Sequence, residues 1–163
     1  ILLVIGKTEG HIDQSLFARE ILSEKNGPPP EINLFNEKNN GETILKLIDN
    51  NFILSAHDVS LGGIITAVSK MCIRGKKGVS LKKPNYLINK FEYLFSEDQG
   101  RYIIEIQKDN FKPVTEILEE NSVHFDELGS VINNDLIIDD KSKVSIDDLI
   151  KSHTIWLKDY MNK

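Results

Sequence analysis

The sequence predicts an α/β fold with α+β character, a three-layer sandwich in which a mixed β-sheet carries helices on its faces. Three observations support this. The chain opens on an unbroken apolar run, Ile1 to Ile5, as expected of a strand covered on both faces. Segments of helical and of alternating periodicity then interleave along the chain. Near the end, Leu136-Ile137-Ile138 and Lys143-Val144-Ser145-Ile146 flank an Asp139-Asp140 turn, and a hairpin there makes the sheet mixed rather than purely parallel.

The elements follow in order. After the first strand, Gly6 to Gly10 reads as a loop, and Asp13 or Ser15 is placed to cap a helix with Leu16, Phe17, Ile21 and Leu22 as its apolar stripe. Asn26-Gly27 ends it, and Pro28-Pro29-Pro30 forces an extended spacer. A second helix is expected over Asn39 to Asp49, turning Ile44, Leu45, Leu47 and Ile48 inward, followed by a short strand Phe52-Ile53-Leu54. Ser55 to Ser60 reads as a strand end and polar turn. A third helix follows from Leu61 to Ile73 through Ile64, Ile65, Val68, Met71 and Cys72. Gly75 and Gly78 close that helix and open the strand Val79-Ser80-Leu81.

A short helix is expected over Tyr86 to Lys90, and Tyr102 to Gln107 alternates as a strand. Pro113 suits the first turn of a helix holding Val114, Ile117 and Leu118. Val123 to Ile132 reads as strand, glycine turn and strand. A last helix runs from Ile146 to Trp156 and Tyr160, with 159–163 as a frayed tail.

At 163 residues, 40% hydrophobic and 28% charged, the chain fits one globular domain spanning 1–163. Its 25 acidic against 20 basic side chains give a formal charge of −5, which argues against a nucleic-acid surface. The one basic cluster, Arg74-Gly75-Lys76-Lys77-Gly78, is short, broken by glycines and read as a solvated turn. The single cysteine, Cys72, excludes an internal disulfide and a cysteine-rich zinc site, and its position on an apolar helix face reads as core. No segment is long and apolar enough to span a bilayer, and the start lacks the marks of a secretory signal. The cytoplasm is therefore the expected compartment. An opening inside a core strand, without an initiator methionine, reads as a piece of a longer polypeptide.

Two polar segments are candidates for chemistry. Ser55-Ala56-His57-Asp58-Val59-Ser60-Leu61-Gly62-Gly63 packs hydroxyls, an imidazole and a carboxylate ahead of a paired glycine. Adjacent His57 and Asp58 point to opposite faces of a strand, which makes them poor partners for a proton relay. Asp58 and Ser60 are suited to capping the helix that follows. Gly62-Gly63 has two readings: backbone N–H groups approaching a phosphate, or a helix packed tightly on its sheet. The four histidines, His11, His57, His124 and His153, have no metal-ligand spacing. The second segment, Ser96-Glu97-Asp98-Gln99-Gly100-Arg101, gathers two carboxylates, an amide and a guanidinium. These groups suit sugar hydroxyls and an anion, or equally a solvated turn with an internal ion pair.

These two segments, in this order, resemble the C-terminal lobe of the large subunits of phosphoribosylformylglycinamidine synthases, within the AIR synthase-related C-terminal domain type. The resemblance also rests on Ile1 to Thr8 with Gly10 and Ser15, on Gly27-Pro28-Pro29-Pro30, on Leu128-Gly129-Ser130-Val131 and on Trp156-Leu157-Lys158-Asp159-Tyr160-Met161. It covers nearly the whole chain. Asp13 stands where the family often has glycine. Related enzymes of the superfamily, such as the aminoimidazole ribonucleotide cyclo-ligase and thiamine-phosphate kinase, carry other residues at the His57–Gly63 turn.

The resemblance implies the second C-type lobe of a purine-biosynthesis C–N ligase. That enzyme uses formylglycinamide ribonucleotide, ATP and glutamine to make formylglycinamidine ribonucleotide, ADP, phosphate and glutamate. It implies ATP and magnesium for the whole enzyme, bound mostly outside this chain, with no catalytic residue and no metal ligand here. Ser96, Glu97, Asp98 and Gln99, with Gly62 and Gly63, are the expected ligand-binding positions. The expected partners are N-terminal lobes of the same polypeptide, a glutaminase subunit and a small accessory subunit, with no nucleic acid and no membrane. The lobe alone is expected to be inactive, and to self-associate through faces its neighbours would cover. The rival expectations are a structural module without a ligand, and the corresponding domain of the cyclo-ligase.

Overall fold

The computed structural model describes residues 1–82, 88–139 and 142–162. Seven strands form one sheet: β1 (Leu2–Ile5), β2 (Ile53–Asp58), β3 (Gly78–Leu81), β4 (Tyr102–Ile106), β5 (Phe125–Ile132), β6 (Asp135–Ile137) and β7 (Lys143–Ser145). Their order is β2-β4-β1-β5-β3-β6-β7. The β3–β6 pair is parallel and the other pairs are antiparallel, so the sheet is mixed as the sequence predicts. The helices are α1 (Leu34–Asp49), α2 (Gly63–Gly75), α3 (Lys90–Phe95), α4 (Phe111–Glu120) and α5 (Ile146–Met161).

Alternation along β1 divides the interior into two cores. Leu2 and Val4 face a cluster built with Ile64, Val68 and Cys72 of α2, Tyr93 and Leu94 of α3, and Ile146 of α5. Leu3 and Ile5 face the opposite cluster, with Ile44 and Leu47 of α1 and Val114 and Leu118 of α4. Because β1 is buried on both faces, it reads as a continuous apolar run, and the helices on the two faces make the three layers. Cys72 is 2% exposed, and burial pushes its thiol up to about 11. Only about a thousandth of it is thiolate at pH 8. A disulfide reagent is therefore expected to leave the native chain unlabelled at pH 8 and to label one thiol after denaturation; prompt native labelling would contradict this core.

The structure corrects several sequence expectations. α1 begins at Leu34 rather than Asn39, because the Asn33 side chain caps it by accepting from the Asn36 amide at 3.0 Å. Leu45 and Ile48 lie on its solvent side, not its inner side. The expected helix after Ser15 is a single π-helical turn, Ala18–Leu22, which buries only Ala18; Ile21 and Leu22 are exposed. Its start is held by Ser15, whose hydroxyl accepts from the Ala18 amide.

β2 extends through Asp58, so Ser55 to Asp58 are strand rather than turn. Of the short helix expected over Tyr86 to Lys90, 86 and 87 lie outside the described residues, and α3 starts only at Lys90, behind an Asn89 capping box. Val123 to Ile132 holds one strand, not two. Gly129 sits within β5 beside an irregularity in the β1–β5 register, where the Ser80 carbonyl of β3 leaves no room for a Cβ. The hairpin near the end is present as β6 and β7, although Asp140 of its expected turn lies outside the described residues. α5 continues to Met161, past the expected start of fraying at Asp159.

Candidate functional site

The polar segment 96–101 lies between the end of α3 and the start of β4, and most of it faces inward. Asp98 is 7% exposed and accepts three backbone N–H bonds, each 3.1 Å: from Glu9 and Gly10 at Oδ2, and from His11 at Oδ1. Glu97 Oε1 accepts from the Leu16 amide at 2.7 Å and the Gly62 amide at 2.8 Å. One carboxylate thus shapes the loop after β1, and the other ties that loop to the turn before α2. These side chains do for an irregular loop what ladder bonds do for a strand, since buried backbone donors need acceptors.

Arg101 completes the network from below. It is 1% exposed; its guanidinium donates to the Ser96 carbonyl at 2.8 Å, the Asp98 carbonyl at 3.1 Å and Thr8 Oγ1 at 3.1 Å, and NH1 lies 3.6 Å from the Asp98 carboxylate. The internal ion pair considered from sequence is therefore present, but buried rather than solvated. Ser96 is fully buried, and its hydroxyl has no hydrogen-bond partner among the described residues.

Asp58 and Ser60 do not cap α2. The residue at its cap is Gly62, in a left-handed conformation, with the Glu97 carboxylate on its amide; the Gly63 amide donates to the Ser60 carbonyl at 3.0 Å. Both glycine amides are thus committed within the chain. A Cβ on Gly63 would lie 2.6 Å from the Ser96 carbonyl oxygen and 2.7 Å from that of Leu94, at a φ of +69°. Of the two readings of the glycine pair, the geometry supports close packing.

His57 and Asp58 contact each other: His57 Nδ1 lies 2.6 Å from the Asp58 carbonyl oxygen and 3.3 Å from its carboxylate. Among the described residues, no three His, Cys, Asp or Glu side chains are grouped to hold a metal ion, and no helix is long and apolar enough to cross a membrane.

Beside the network lies a polar cleft of about 620 Å³. Its walls include Lys7 and His11 from the loop after β1, Asn36 and Glu37 from the first turn of α1, and Gln99 and His124. Gln99 is exposed, and its amide nitrogen donates to the Glu97 carbonyl at 3.2 Å. At the start of β4, the Tyr102 phenol is pushed above its ordinary range, first by burial and then by the Glu37 and Asp58 carboxylates, so it stays protonated at neutral pH.

The α1 contribution escaped the sequence reading. Leu34 and Phe35 are 77% and 76% exposed, which breaks the apolar period there. The usable signal was the Asn33 cap.

Fold and cleft together define a three-layer α/β lobe, with a seven-stranded mixed sheet and a polar cleft shaped by carboxylates spent on the chain's own loops. The chain belongs to the family described as AIR synthase related protein, C-terminal domain, whose model matches residues 1–141. It is 81% identical over 161 residues to the phosphoribosylformylglycinamidine synthase subunit PurL of Pelagibacter ubique (strain HTCC1062), covering 99% of this chain and 22% of that protein. The chain thus spans about a fifth of that relative's length.

Among solved structures it is similar to T. maritima PurL complexed with FGAR, at a TM-score of 0.75 and 21% identity over 92% of this chain and 27% of that one. It is also similar to a chain in the structure of PurLQS from Thermotoga maritima, at a TM-score of 0.66 and 20% identity over 92% of this chain and 26% of that one. At these identities the structural likeness establishes the fold.

Proposed function

We propose that this chain is one lobe of an ATP-dependent ligase of purine biosynthesis, cytoplasmic in location. That enzyme makes formylglycinamidine ribonucleotide, ADP, phosphate and glutamate from formylglycinamide ribonucleotide, ATP and glutamine. The observation that carries this reading is the 81% identity to the Pelagibacter subunit across 99% of the chain. The lobe supplies architecture and one wall of a ligand cleft. In this reading Ser96, Glu97, Asp98, Gly62 and Gly63 are positioning residues, which fix the loops, and Gln99 is the side chain that reaches the ligand.

The Glu97 and Asp98 carboxylates are engaged by backbone amides, and the described residues group no three metal-ligating side chains. The residues here do not by themselves fit a magnesium–nucleotide site, so no step runs through one on this lobe. Other lobes of the same polypeptide, a glutaminase subunit and a small accessory subunit are the partners in this reading.

A second reading, a structural lobe that binds no ligand, is favoured by the same engagement of both carboxylates. Kinetics of the longer polypeptide separate the two. With formylglycinamide ribonucleotide, ATP and ammonia, Gln99→Ala is expected to raise KM for the ribonucleotide about tenfold at unchanged kcat, the equivalent of about 1.4 kcal/mol of binding. An unchanged KM would leave only the structural reading. Absence of any turnover by the unaltered longer polypeptide would remove the ligase reading itself.

A further inference from the structure

The sequence holds two Asn-Gly pairs, Asn26-Gly27 and Asn40-Gly41, and the fold treats them oppositely. A glycine nitrogen, with no Cβ beside it, is free to attack the side-chain carbonyl carbon of the asparagine before it. Two conditions apply: the backbone must be able to turn there, and the nitrogen must not be held in a hydrogen bond.

Asn40-Gly41 meets neither condition. Both residues lie inside α1, where the helix fixes the backbone and engages the Gly41 N–H. Asn40 is 7% exposed, and its side-chain nitrogen donates to the Gly100 carbonyl at 2.9 Å. Asn26-Gly27 meets both. It lies outside helices and strands, ahead of the three prolines, and both residues are exposed. Gly27 sits at φ +121°, a conformation open to glycine. Among the described residues, neither the Gly27 nitrogen nor the Asn26 side chain makes a hydrogen bond.

The carbonyls around this pair are strapped to the loop after β1. Gln14 Nε2 donates to the Lys25 carbonyl at 3.2 Å and to the Gly27 carbonyl at 2.9 Å, and His11 Nε2 lies 3.0 Å from the Pro28 carbonyl oxygen. All three contacts are exposed, and such bonds open readily. The Asp13 carboxylate also lies against Gly27, where an added Cβ would be 2.6 Å from its carbon. The strap thus reaches residues 11–14, next to the amides that Asp98 holds and beside the polar cleft that His11 lines.

We propose that Asn26-Gly27 is a site of spontaneous deamidation, and that the modification loosens this strap. The Gly27 nitrogen bonds to Asn26 Cγ and gives up its proton. The Cγ–Nδ2 bond breaks, Nδ2 leaves as ammonia, and a succinimide ring closes. Water then opens the ring at one of its two carbonyl carbons. Attack at Cγ gives aspartate; attack at the Asn26 backbone carbonyl gives isoaspartate. Isoaspartate routes the main chain through the former side chain. It adds one methylene between the Lys25 and Gly27 carbonyls, which a single Gln14 amide now spans. Either product also puts a new carboxylate one residue from the glycine that Asp13 touches, and the like charges oppose each other. The proposal is independent of the ligase reading.

The test follows both pairs in the native 163-residue chain at mildly alkaline pH, by peptide mapping with electron-transfer fragmentation, which separates isoaspartate from aspartate. A urea-unfolded sample gives the reference rate of each pair without the fold. The ratio of native to unfolded rate is expected to be at least about tenfold higher at Asn26 than at Asn40, because Asn40 reacts only after local opening. Isoaspartate is expected among the products at position 26. Asn26→Gln, which would need a larger ring, is expected to stop conversion there while leaving Gln14 in place. In the purified isoaspartate form, the amide NMR signals of His11 and Gln14 are expected to shift, and more than in Asn26→Asp, which adds the charge without the methylene. Four results would overturn the proposal: native Asn26 unchanged while the unfolded chain converts, equal rate ratios at the two pairs, aspartate without isoaspartate at position 26, or His11 and Gln14 signals unmoved in the isoaspartate form.

Discussion

Replacing Asp98 by alanine is expected to destabilise the fold by about 3–5 kcal/mol, the cost of stranding a buried charge and its donors. The side chain holds the amides of Glu9, Gly10 and His11 and lies 3.6 Å from the guanidinium of Arg101, which is itself 1% exposed. Removing it leaves three inward-turned N–H groups and a buried cation with fewer acceptors. Asp98→Asn keeps one carbonyl oxygen in place and is expected to lose about 1–3 kcal/mol. Urea unfolding reads the difference directly. With a slope of about 2 kcal/mol/M, the alanine midpoint falls by roughly 2 M and the asparagine midpoint by about half that. Equal and small shifts for both variants would mean that the loop after β1 does not depend on this carboxylate.

The second large effect is expected at Gly63. A methyl group there meets the Ser96 and Leu94 carbonyl oxygens and the Phe95 carbonyl carbon at 2.6–2.7 Å, and none of these backbone atoms can swing aside. The residue also sits at φ +69°, where a side chain adds strain. Gly63→Ala is therefore expected to cost about 2–4 kcal/mol. Gly75→Ala is the control. It lies at the end of the same helix, with nothing within 4 Å of its added Cβ, and is expected to be neutral or to stabilise by up to about 1 kcal/mol. If the two substitutions behave alike in thermal or urea unfolding, the close approach of α2 to residues 94–96 is not what holds the segment in place.

The layers of the fold were legible in sequence wherever burial was complete. Ile1 to Ile5 announced a strand covered on both faces, Val114, Ile117 and Leu118 behind Pro113 announced α4, and Leu136 to Ser145 announced the hairpin β6–β7, although the sheet is mixed through the parallel β3–β6 pair rather than through that antiparallel hairpin. Legibility failed where an element is only half covered. β2 lies at the sheet edge, so its Ser55-Ala56-His57-Asp58 half shows no apolar alternation and resembles a turn. α1 begins on the exposed pair Leu34 and Phe35. Gly129 looked like a turn because a close approach between strands and a reversal of the chain both demand glycine.

The site shows the same division. Sequence singled out the right segment, 96–101, but not the direction its side chains take. Carboxylates in a polar run are as well suited to a ligand's hydroxyls as to a neighbouring loop's N–H groups. Only the position of residues 9–16 and 62 decides between them, and that position depends on contacts spanning more than 30 residues in one case and more than 80 in the other.

Hydrogen exchange at five amides, Glu9, Gly10, His11, Leu16 and Gly62, tests the central claim that residues 96–101 are an internal scaffold. Glu9, Gly10, His11 and Gly62 lie outside helices and strands and Leu16 opens a short helical turn, yet each donates to Glu97 or Asp98. The account predicts that all five exchange at least about 100-fold more slowly than unstructured amides, with Glu9, Gly10 and His11 losing that protection in Asp98→Ala. Exchange of these amides at unstructured-chain rates in the unaltered protein would contradict it.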